Sequence, residues 1–588
     1  MCGIAGIMMT NGAPPDEALL TRMADALGHR GPDGRGHYRS GNVGMVQTRL
    51  AIIDLETGDQ PLYEPGGAAL IANGEIYNYI ELRRDPALAG INFATGSDCE
   101  LPLHLYRRLG PGFASRLRGM YAIALHDAPA GRLLLLRDPF GIKPLYYAER
   151  AELFAFASEP RALLASGLVD ATLDPARLAE LLELQFTTGR ETPFPAVRRV
   201  LPGESLVIAG GRILERSRIE ALPAGGPEPA SEGEALERLD AALVDSIKVH
   251  QRSDVPYGMF LSGGVDSAAL LALMARTNDR PVKAFTVGFG PGKVADERAH
   301  ARSLAERVGA EHVEIDFGEA EFWSLLPAVA EALDDPVADY AALPTFLLAR
   351  EAGRSLKVIL TGEGGDELFA GYGRYRSDMR PWWLAGRTMR ARGILDGLDL
   401  LRRRSAGWRD GIAAAAHAAA TPGRTRLQIA QAVDVADWLP NDLLTKVDRC
   451  LMAHSVEGRV PFLDSAVAAL AFRLPDDLKL HRGRGKWLLR RWLEGALPEA
   501  KPFSAKRGFT VPVGVWIRRA GERIGPLVAR QAGIAELCRP EAVERLYARR
   551  GKHAGFAEWA LLFFACWHQR HVRGIVGARD AFELLDAA

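Results

Sequence analysis

The stretch YGMFLSGGVDSAAL (257–270) constrains the fold more than any other part of the chain. A short apolar run ends in paired glycines and passes at once into an alanine- and leucine-rich helical pattern. A strand-to-helix turn this tight belongs to a parallel sheet with helices on both faces, and the flanking sequence keeps the rhythm. ALERLDAALVDSIKVHQ is helical by period, KAFTVGF a strand, ERAHARSLAERVG a helix, and HVEIDF and LKVILTG strands. Beyond about residue 375 helix dominates. The turn Ser262, Gly263, Gly264, Asp266, Ser267 aims backbone N–H groups at one point before a helix N-terminus, an anion cradle that needs no lysine. Asp266 opposes a bare phosphate, so a Mg²⁺ bridging Asp266 and phosphate oxygens is the natural partner. The bland alternative is a glycine turn closed by a Ser/Asp helix cap.

A second cluster, LTGEGGDELFAGY (360–372), follows the strand KVIL. Its glycines let Thr361 and Gly362 approach a nucleotide, while Glu363, Asp366 and Glu367 crowd carboxylates at the carboxyl ends of the strands. Such carboxylates repel one another unless a cation or basic group sits among them, and a Mg²⁺ held by Asp266 and Asp366 would resolve this. An acidic helix N-terminus is the simpler alternative. Lys486, in GRGKWLLRR, can neutralise phosphate charge, although a glycine-flanked lysine is commonly a solvated turn residue.

Up to about residue 205 the pattern is mostly strands, among them GMVQTRLAIIDL, AALIANGEIYNY, MYAIALHD, RLLLLRDPFG and ELFAFASE. Interspersed helices such as DEALLTRMADAL make this a layered α+β unit. EALPAGGPEPASEGEA then reads as a solvated linker. The expected organisation is a first domain over 2–205, a linker over 206–233 and a second domain over 234–575. Cys2 admits three readings: a lipid-anchored cysteine, an early apolar residue, or a nucleophile at the chain terminus. No basic or apolar leader precedes it, which removes the lipid reading. The five cysteines are scattered with no C-x-x-C pair, pointing to reduced thiols in the cytoplasm. Lys+Arg and Asp+Glu both number 73, so no charge excess invites nucleic acid, and no run is long enough for a membrane span.

If Cys2 is a nucleophile, removal of Met1 would free an α-amino group with a pKa near about 8 to act as its base. Asn73 and Gly74, in NGEIYN, offer oxyanion donors at a strand end. Arg49 can take a carboxylate as a bidentate pair, and Asp98, in GSDCE, can hold an ammonium. Singly, each has a bland alternative: a hairpin turn at 73–74, a surface strand residue at 49, a helix cap at 98.

MCGIAG, HRGPDG, RLAIIDL, NGEIYN, GSDCE, RDPFGIKPLYY, SGGVDS, GEGGDELFAGY and KVDRCLMAHSVEGRVPFLD together cover almost the whole chain. In this order they resemble the glutamine-hydrolysing asparagine synthetases, a class II glutamine amidotransferase fused to an ATP-pyrophosphatase-type synthetase. The S-G-G-x-D-S string resembles the pyrophosphate loop of adenylating enzymes, and no Walker G-x-x-x-x-G-K-[ST] is present. The resemblance implies an N-terminal nucleophile hydrolase fold of α/β/β/α layers, then an α/β parallel-sheet domain with a helical extension. It implies Cys2 as nucleophile, Asn73 and Gly74 as oxyanion hole, and a glutamine pocket of Arg49, Leu50, Ala51, Ile52, Ile53, Glu75 and Asp98. It places ATP on Leu261, Val287, Thr361, Gly362, Lys486 and the 262–267 loop, with Mg²⁺ at Asp266 and Asp366. Glu363 would sit beside a β-aspartyl-AMP intermediate, and ammonia would reach it through a tunnel. The expected substrates are glutamine, ATP and aspartate or another carboxylate acceptor, with no nucleic-acid or membrane partner and a homodimer as candidate assembly.

Two features depart from the family wording. Thr361 stands where Ser is usual, and LQFTTGRETPFPAVRRVLPGE (184–204) differs from the usual sequence, touching the surface between domains. Rival readings are the same chemistry on a sugar acid or natural-product precursor, an RNA-thiolating enzyme, and a non-enzymatic nucleotide-binding module. Neutral charge and scattered cysteines oppose the second, and a cysteine with its own oxyanion donors opposes the third.

Overall fold

In the computed structural model, residues 2–289, 297–381, 383, 389–403, 407–504, 511–548 and 555–587 are described. The first half builds its strands in chain order as β1 (Gly3–Met9), β2 (Gly34–Ser40), β3 (Val43–Arg49), β4 (Leu62–Tyr63), β5 (Ala68–Ile76) and β6 (Gly119–Asp127). It continues with β7 (Arg132–Arg137), β8 (Tyr146–Glu149), β9 (Leu153–Ala157), β10 (Arg198–Arg199), β11 (Glu204–Ala209) and β12 (Arg212–Arg218). These form two six-stranded sheets, ordered β10-β8-β9-β1-β3-β2 and β12-β11-β7-β6-β5-β4. Their pairings are antiparallel.

Period-two alternation explains the layering. On β1, Ile4 and Met8 point at the second sheet and join Ile71, Ala124 and Leu135 in one core. Ala5 and Ile7 point the other way, against Leu20 and Met23 of the helix Glu17–Ala26. Across the second sheet, Leu103 and Leu105 of the helix Leu101–Leu109 pack on Leu70, Ile123 and Leu134. The result is the expected α/β/β/α arrangement, with β1 central in its sheet and Cys2 at its start.

The second half carries a parallel sheet of β13 (Tyr257–Phe260), β14 (Lys283–Phe289), β15 (Glu311–Phe317), β16 (Val358–Leu360) and β17 (Glu457–Arg459), ordered β15-β14-β13-β16-β17. The chain runs outward from β13 to β15, then crosses back to β16 on the other side of β13. This reversal opens a crevice at the carboxyl ends of β13 and β16, the place where open α/β sheets bind ligands. Helices cover both faces: Leu239, Leu243, Leu270 and Met274 on one, the helices 319–332, 342–352 and 555–571 on the other.

Three expectations change. RLAIIDL does not continue β3 beyond Arg49, because the backbone of 50–54 bonds to the second half: Asp254 N donates to the Ile52 carbonyl (3.0 Å) and Asp54 N to Asp254 Oδ2 (2.7 Å). The boundary at 205 falls inside β11, and the sheet runs on to Arg218, so the irregular connection spans 219–231 and ends at Ser231, which caps the helix Glu232–His250 with Glu234 as reciprocal partner. β17 adds a strand inside the segment read as helical. Its sequence, Glu457-Gly458-Arg459, hides it, since the two charges pair with each other (2.6 Å) instead of supplying an apolar run.

The two halves meet across buried charge. Arg199 grips Asp335 with two hydrogen bonds of 2.8 Å, both residues almost fully buried. Asp335→Asn is therefore expected to leave the guanidinium without its counter-charge and to lower stability by about 3 kcal/mol or more, read as an earlier denaturation midpoint in urea.

Candidate functional site

Cys2 is buried, with its backbone N–H donating to Asn73 Oδ1 at 3.1 Å and its carbonyl accepting from Arg30 Nε at 3.2 Å. Gly3 N donates to Thr48 Oγ1 (3.1 Å) and Ile4 N to Ser158 Oγ (3.0 Å), which fixes the direction of the first strand residues. Burial pushes the Cys2 thiol up, opposed by the chain's amino-terminal charge, the Leu50 backbone and Arg49. Asn73 Nδ2 is buried and makes no hydrogen bond among the described residues, so the side chain that anchors the Cys2 nitrogen keeps a donor in reserve. Gly74 follows because the next strand lies against it: a β-carbon there would come within 2.1 Å of the Met120 carbonyl oxygen.

The remaining first-half candidates surround this point. Asp98 Oδ2 accepts from Ile76 N at 2.6 Å, while the helix-cap bond belongs to Ser97, which removes the cap reading of Asp98. Burial pushes the Asp98 carboxyl up to about 6. The Cys99 thiol donates to Asp98 (3.7 Å) and to the Gly74 carbonyl (3.9 Å), and burial and the charges of Asp98, Glu75 and Cys2 push it up. Arg49 is not the exposed strand residue of the simple reading. Its fork holds Asp59 Oδ1 (2.7 Å) and the carbonyls of Ile53 (3.5 Å) and Asp54 (2.5 Å), so a carboxylate from an 80% exposed side chain already occupies that place. Ala51 N donates to Asp33 Oδ2 (2.8 Å).

In the second half, the 262–267 stretch runs from the turn after β13 into the first turn of the helix Val265–Thr277, in the crevice. Gly263 adopts φ +71°, in the left-handed region that favours glycine. Ser262 and Ser267 hydroxyls bond to each other at 3.0 Å, and Gly264 N donates to Ser262 Oγ at 3.3 Å. The Leu261 carbonyl accepts from Thr286 Oγ1 (2.6 Å), next to buried Val287 on β14. Thr361 N bonds to the Arg459 carbonyl (2.9 Å), and its hydroxyl is buried without a partner among the described residues. Gly362 comes close to Asp266, its β-position 3.0 Å from that side chain.

Lys486 changes the reading of the acidic cluster. Its ammonium binds Asp266 and, at 2.7 Å, Asp366. The basic group that crowded carboxylates require is therefore in the chain itself, and no group of three or more His, Cys, Asp or Glu able to hold a metal exists among the described residues. The two aspartates nonetheless suit a Mg²⁺ carried in on phosphates, which takes one or two carboxylates and keeps waters. Glu363 is half-buried and raised by burial, with Lys446 opposing and Asp339 and Asp366 reinforcing. Glu367 is pushed up to about 8 by burial and Asp366, and it accepts from the Tyr372 hydroxyl at 2.7 Å.

Several residues between the two pockets carried no role in the sequence reading. Arg30 of HRGPDG binds Asp448 through both terminal nitrogens (2.8 and 3.1 Å) and Glu159 (2.6 Å). Arg449 binds Asp334 (2.7 Å) and Asp448 (3.1 Å). Arg459 reaches Glu75 of the first pocket at 3.4 Å while holding Glu457, and Lys143 Nζ donates to the Gly458 carbonyl at 3.2 Å. Burial and Glu457 push Glu75 well up; Arg459 and Lys143 help to hold Glu457 down at about 2. HRGPDG and KVDRCLMAHSVEGRVPFLD are thus two halves of one contact, a pairing that no local pattern announces.

Residues 238–569 match the asparagine synthase family and residues 1–217 the glutamine amidotransferase domain. The chain is 32% identical to asparagine synthetase [glutamine-hydrolyzing] 1 of Bacillus subtilis (strain 168), over 97% of both chains. It is 27% identical to asparagine synthetase [glutamine-hydrolyzing] 3 of the same organism, over 85% of both. Amidase chyE of Penicillium rubens is 32% identical over 64% of this chain and 60% of its own length.

Two outcomes are expected from the first pocket. Asn73→Ala removes the ready donor and the anchor of the Cys2 nitrogen together, and should lower kcat for glutamine hydrolysis by about 10²–10³ in a glutamate-release assay. Because Asp98 loses its charge as pH falls through about 6, the KM for glutamine should rise below that pH. Asp98→Asn should flatten that dependence.

Proposed function

This chain belongs to the glutamine-hydrolysing asparagine synthetase family, and from that premise we propose how its residues divide the work between two coupled sites. The class is an ATP-using carbon–nitrogen ligase with glutamine as nitrogen donor. In our reading Cys2 becomes the chain terminus once Met1 is removed, and its free amine, oriented by Asn73 Oδ1, takes the thiol proton. Burial raises the thiol, so an adjacent base is needed for the thiolate to form.

The thiolate attacks the side-chain amide carbon of glutamine. The developing oxyanion takes its hydrogen bonds from Asn73 Nδ2 and the Gly74 N–H, ammonia leaves carrying the transferred proton, and water then hydrolyses the thioester to glutamate. Arg49 exchanges Asp59 for the substrate α-carboxylate, Asp98 and Glu75 face its ammonium end, and the backbone of Leu50 through Ile53 walls the pocket.

In the second half, ATP lies across the crevice. Leu261, Val287, Thr361 and Gly362 border the nucleotide, and the 262–267 backbone cradles the pyrophosphate. A Mg²⁺ held by Asp266 and Asp366 would supply charge neutralisation on the leaving pyrophosphate. Lys486 adds a fixed positive charge at the same place. The acceptor side-chain carboxylate of aspartate displaces pyrophosphate from the α-phosphorus, giving a β-aspartyl-AMP beside Glu363. Ammonia passing through the interface attacks its carbonyl and releases AMP. Glu363, raised by burial, is suited to take the proton that the attacking nitrogen must lose.

The observation that supports this reading is Asn73, whose Oδ1 holds the Cys2 nitrogen while its Nδ2 has no partner among the described residues, in a chain that also carries the SGGVDS turn. Cys2→Ala should abolish glutamine-dependent asparagine formation while leaving ammonia-dependent formation within about twofold. AMP and pyrophosphate should appear in equal amounts with it. Equal loss with both nitrogen donors, or ADP and phosphate as products, would sink the proposal.

A further inference from the structure

Arg49 and Asp98, assigned above to the two ends of glutamine, sit on separate elements, Arg49 at the end of β3 and Asp98 in the helical turn Asp98–Glu100. Asp54 is bonded to both arms. Its carbonyl accepts from Arg49 Nη2 (2.5 Å), which leaves Nη1 on Asp59 (2.7 Å), the partner that a substrate carboxylate displaces. Its carboxylate accepts from Gly96 N (2.8 Å), two residues before Asp98, and from Thr57 N (2.9 Å) and Thr57 Oγ1 (2.5 Å). Its own N–H donates to Asp254 Oδ2 (2.7 Å) of the second half, whose N–H holds the Ile52 carbonyl (3.0 Å).

The surrounding backbone makes room for this residue. Asp54 has φ +55°, in the left-handed region, which aspartate tolerates better than most residues because its short side chain bonds to nearby backbone. A β-carbon on Gly58 would come within 2.6 Å of Arg49 Nη2 and 2.7 Å of the Asp54 carbonyl oxygen, and one on Gly96 within 3.3 Å of the Asp54 carboxylate. Burial pushes the Asp54 carboxyl up, but the bonds from Thr57 and Gly96 outweigh it and hold the group below the usual carboxylate range. The N–H, the carbonyl and both carboxylate oxygens of one half-buried residue are therefore all engaged, and they join three separate stretches of chain.

We propose that Asp54 is the positioning residue that sets the separation between the two ends of the glutamine pocket, and that Asp254 fixes its place from the second half. Asp54 acts through Arg49 and Gly96, so that a substrate carrying carboxylate and ammonium on one carbon meets both partners at once. Asp254 lies just before β13, which leads into the 262–267 turn, so the wall of the first pocket is held by the same stretch of chain that builds the second. This inference rests on the assignment of Arg49 and Asp98 to the two ends of glutamine.

The test is steady-state glutamine hydrolysis by the full chain, with two truncated amides as competitive inhibitors: glutaramate, which lacks the α-amino group, and 4-aminobutanamide, which lacks the α-carboxylate. Asp54→Gly keeps the left-handed φ and removes the carboxylate. It should raise the KM for glutamine about tenfold with kcat unchanged, the scale of one lost charged hydrogen bond. Inhibition by each truncated amide, which engages one end only, should stay as in the wild type. Asp54→Asn tolerates the same φ and retains an accepting oxygen, so it should recover most of the glutamine affinity. Asp254→Ala should raise the glutamine KM in the same direction and leave the KM for ATP in the ammonia-dependent reaction unchanged, which also reports that both halves are folded. An unchanged glutamine KM in Asp54→Gly, or equal weakening of glutamine and both truncated amides, overturns the proposal. Truncated amides that bind the wild type as tightly as glutamine would instead overturn the assignment of Arg49 and Asp98 on which it rests.

Discussion

The grip of Arg30 on Asp448 is the contact on which the rest of the architecture depends. One guanidinium, fully buried, takes both oxygens of Asp448 from the second half and Glu159 from the first, while its Nε holds the carbonyl of Cys2. The residue at the start of the central strand is thereby fixed relative to a helix more than four hundred residues later in sequence. A guanidinium in such a place is stable only with its carboxylates present, and Arg449, Asp334 and Glu159 extend the same pairing. Such a network adds little net stability over apolar packing, but it tolerates one relative placement of the two halves.

That placement brings the pockets into electrostatic contact. Arg459 ends β17 of the parallel sheet, and it touches Glu75 beside Cys2 while its carbonyl receives the N–H of Thr361 beside the phosphate loop. A three-residue strand thus borders both sites. Each site holds one telling buried polar group, one satisfied within the chain and one left for a substrate atom. Lys486 between Asp266 and Asp366 is the first kind, and Asn73 Nδ2, without a partner among the described residues, is the second.

Much of this was legible in the sequence because local chemistry dictates it. Paired glycines after an apolar run at 257–264 announced a strand, a turn and a helix in a parallel sheet, and short apolar runs at β5 and β6 with helices between the strands announced a layered α+β unit. What escaped was non-local. β17 was invisible because its charges satisfy each other. RLAIIDL looked like one strand because nothing nearby reveals that Asp254 takes the backbone of 52–54. The basic partner of Asp266 and Asp366 lies at position 486, far from both in sequence. Arg30, Arg199, Arg449 and Arg459 carried no role in the sequence reading, because the carboxylates that bury them lie far away along the chain.

The central claim is that two sites in one chain share a nitrogen atom across this interface. The direct measurement supplies glutamine labelled with ¹⁵N at the side-chain amide together with excess unlabelled ammonium, and reads the isotope in the asparagine amide. The account predicts that the label passes into asparagine with little dilution while glutamine is saturating. Asparagine carrying the isotopic ratio of the bulk ammonia would contradict it.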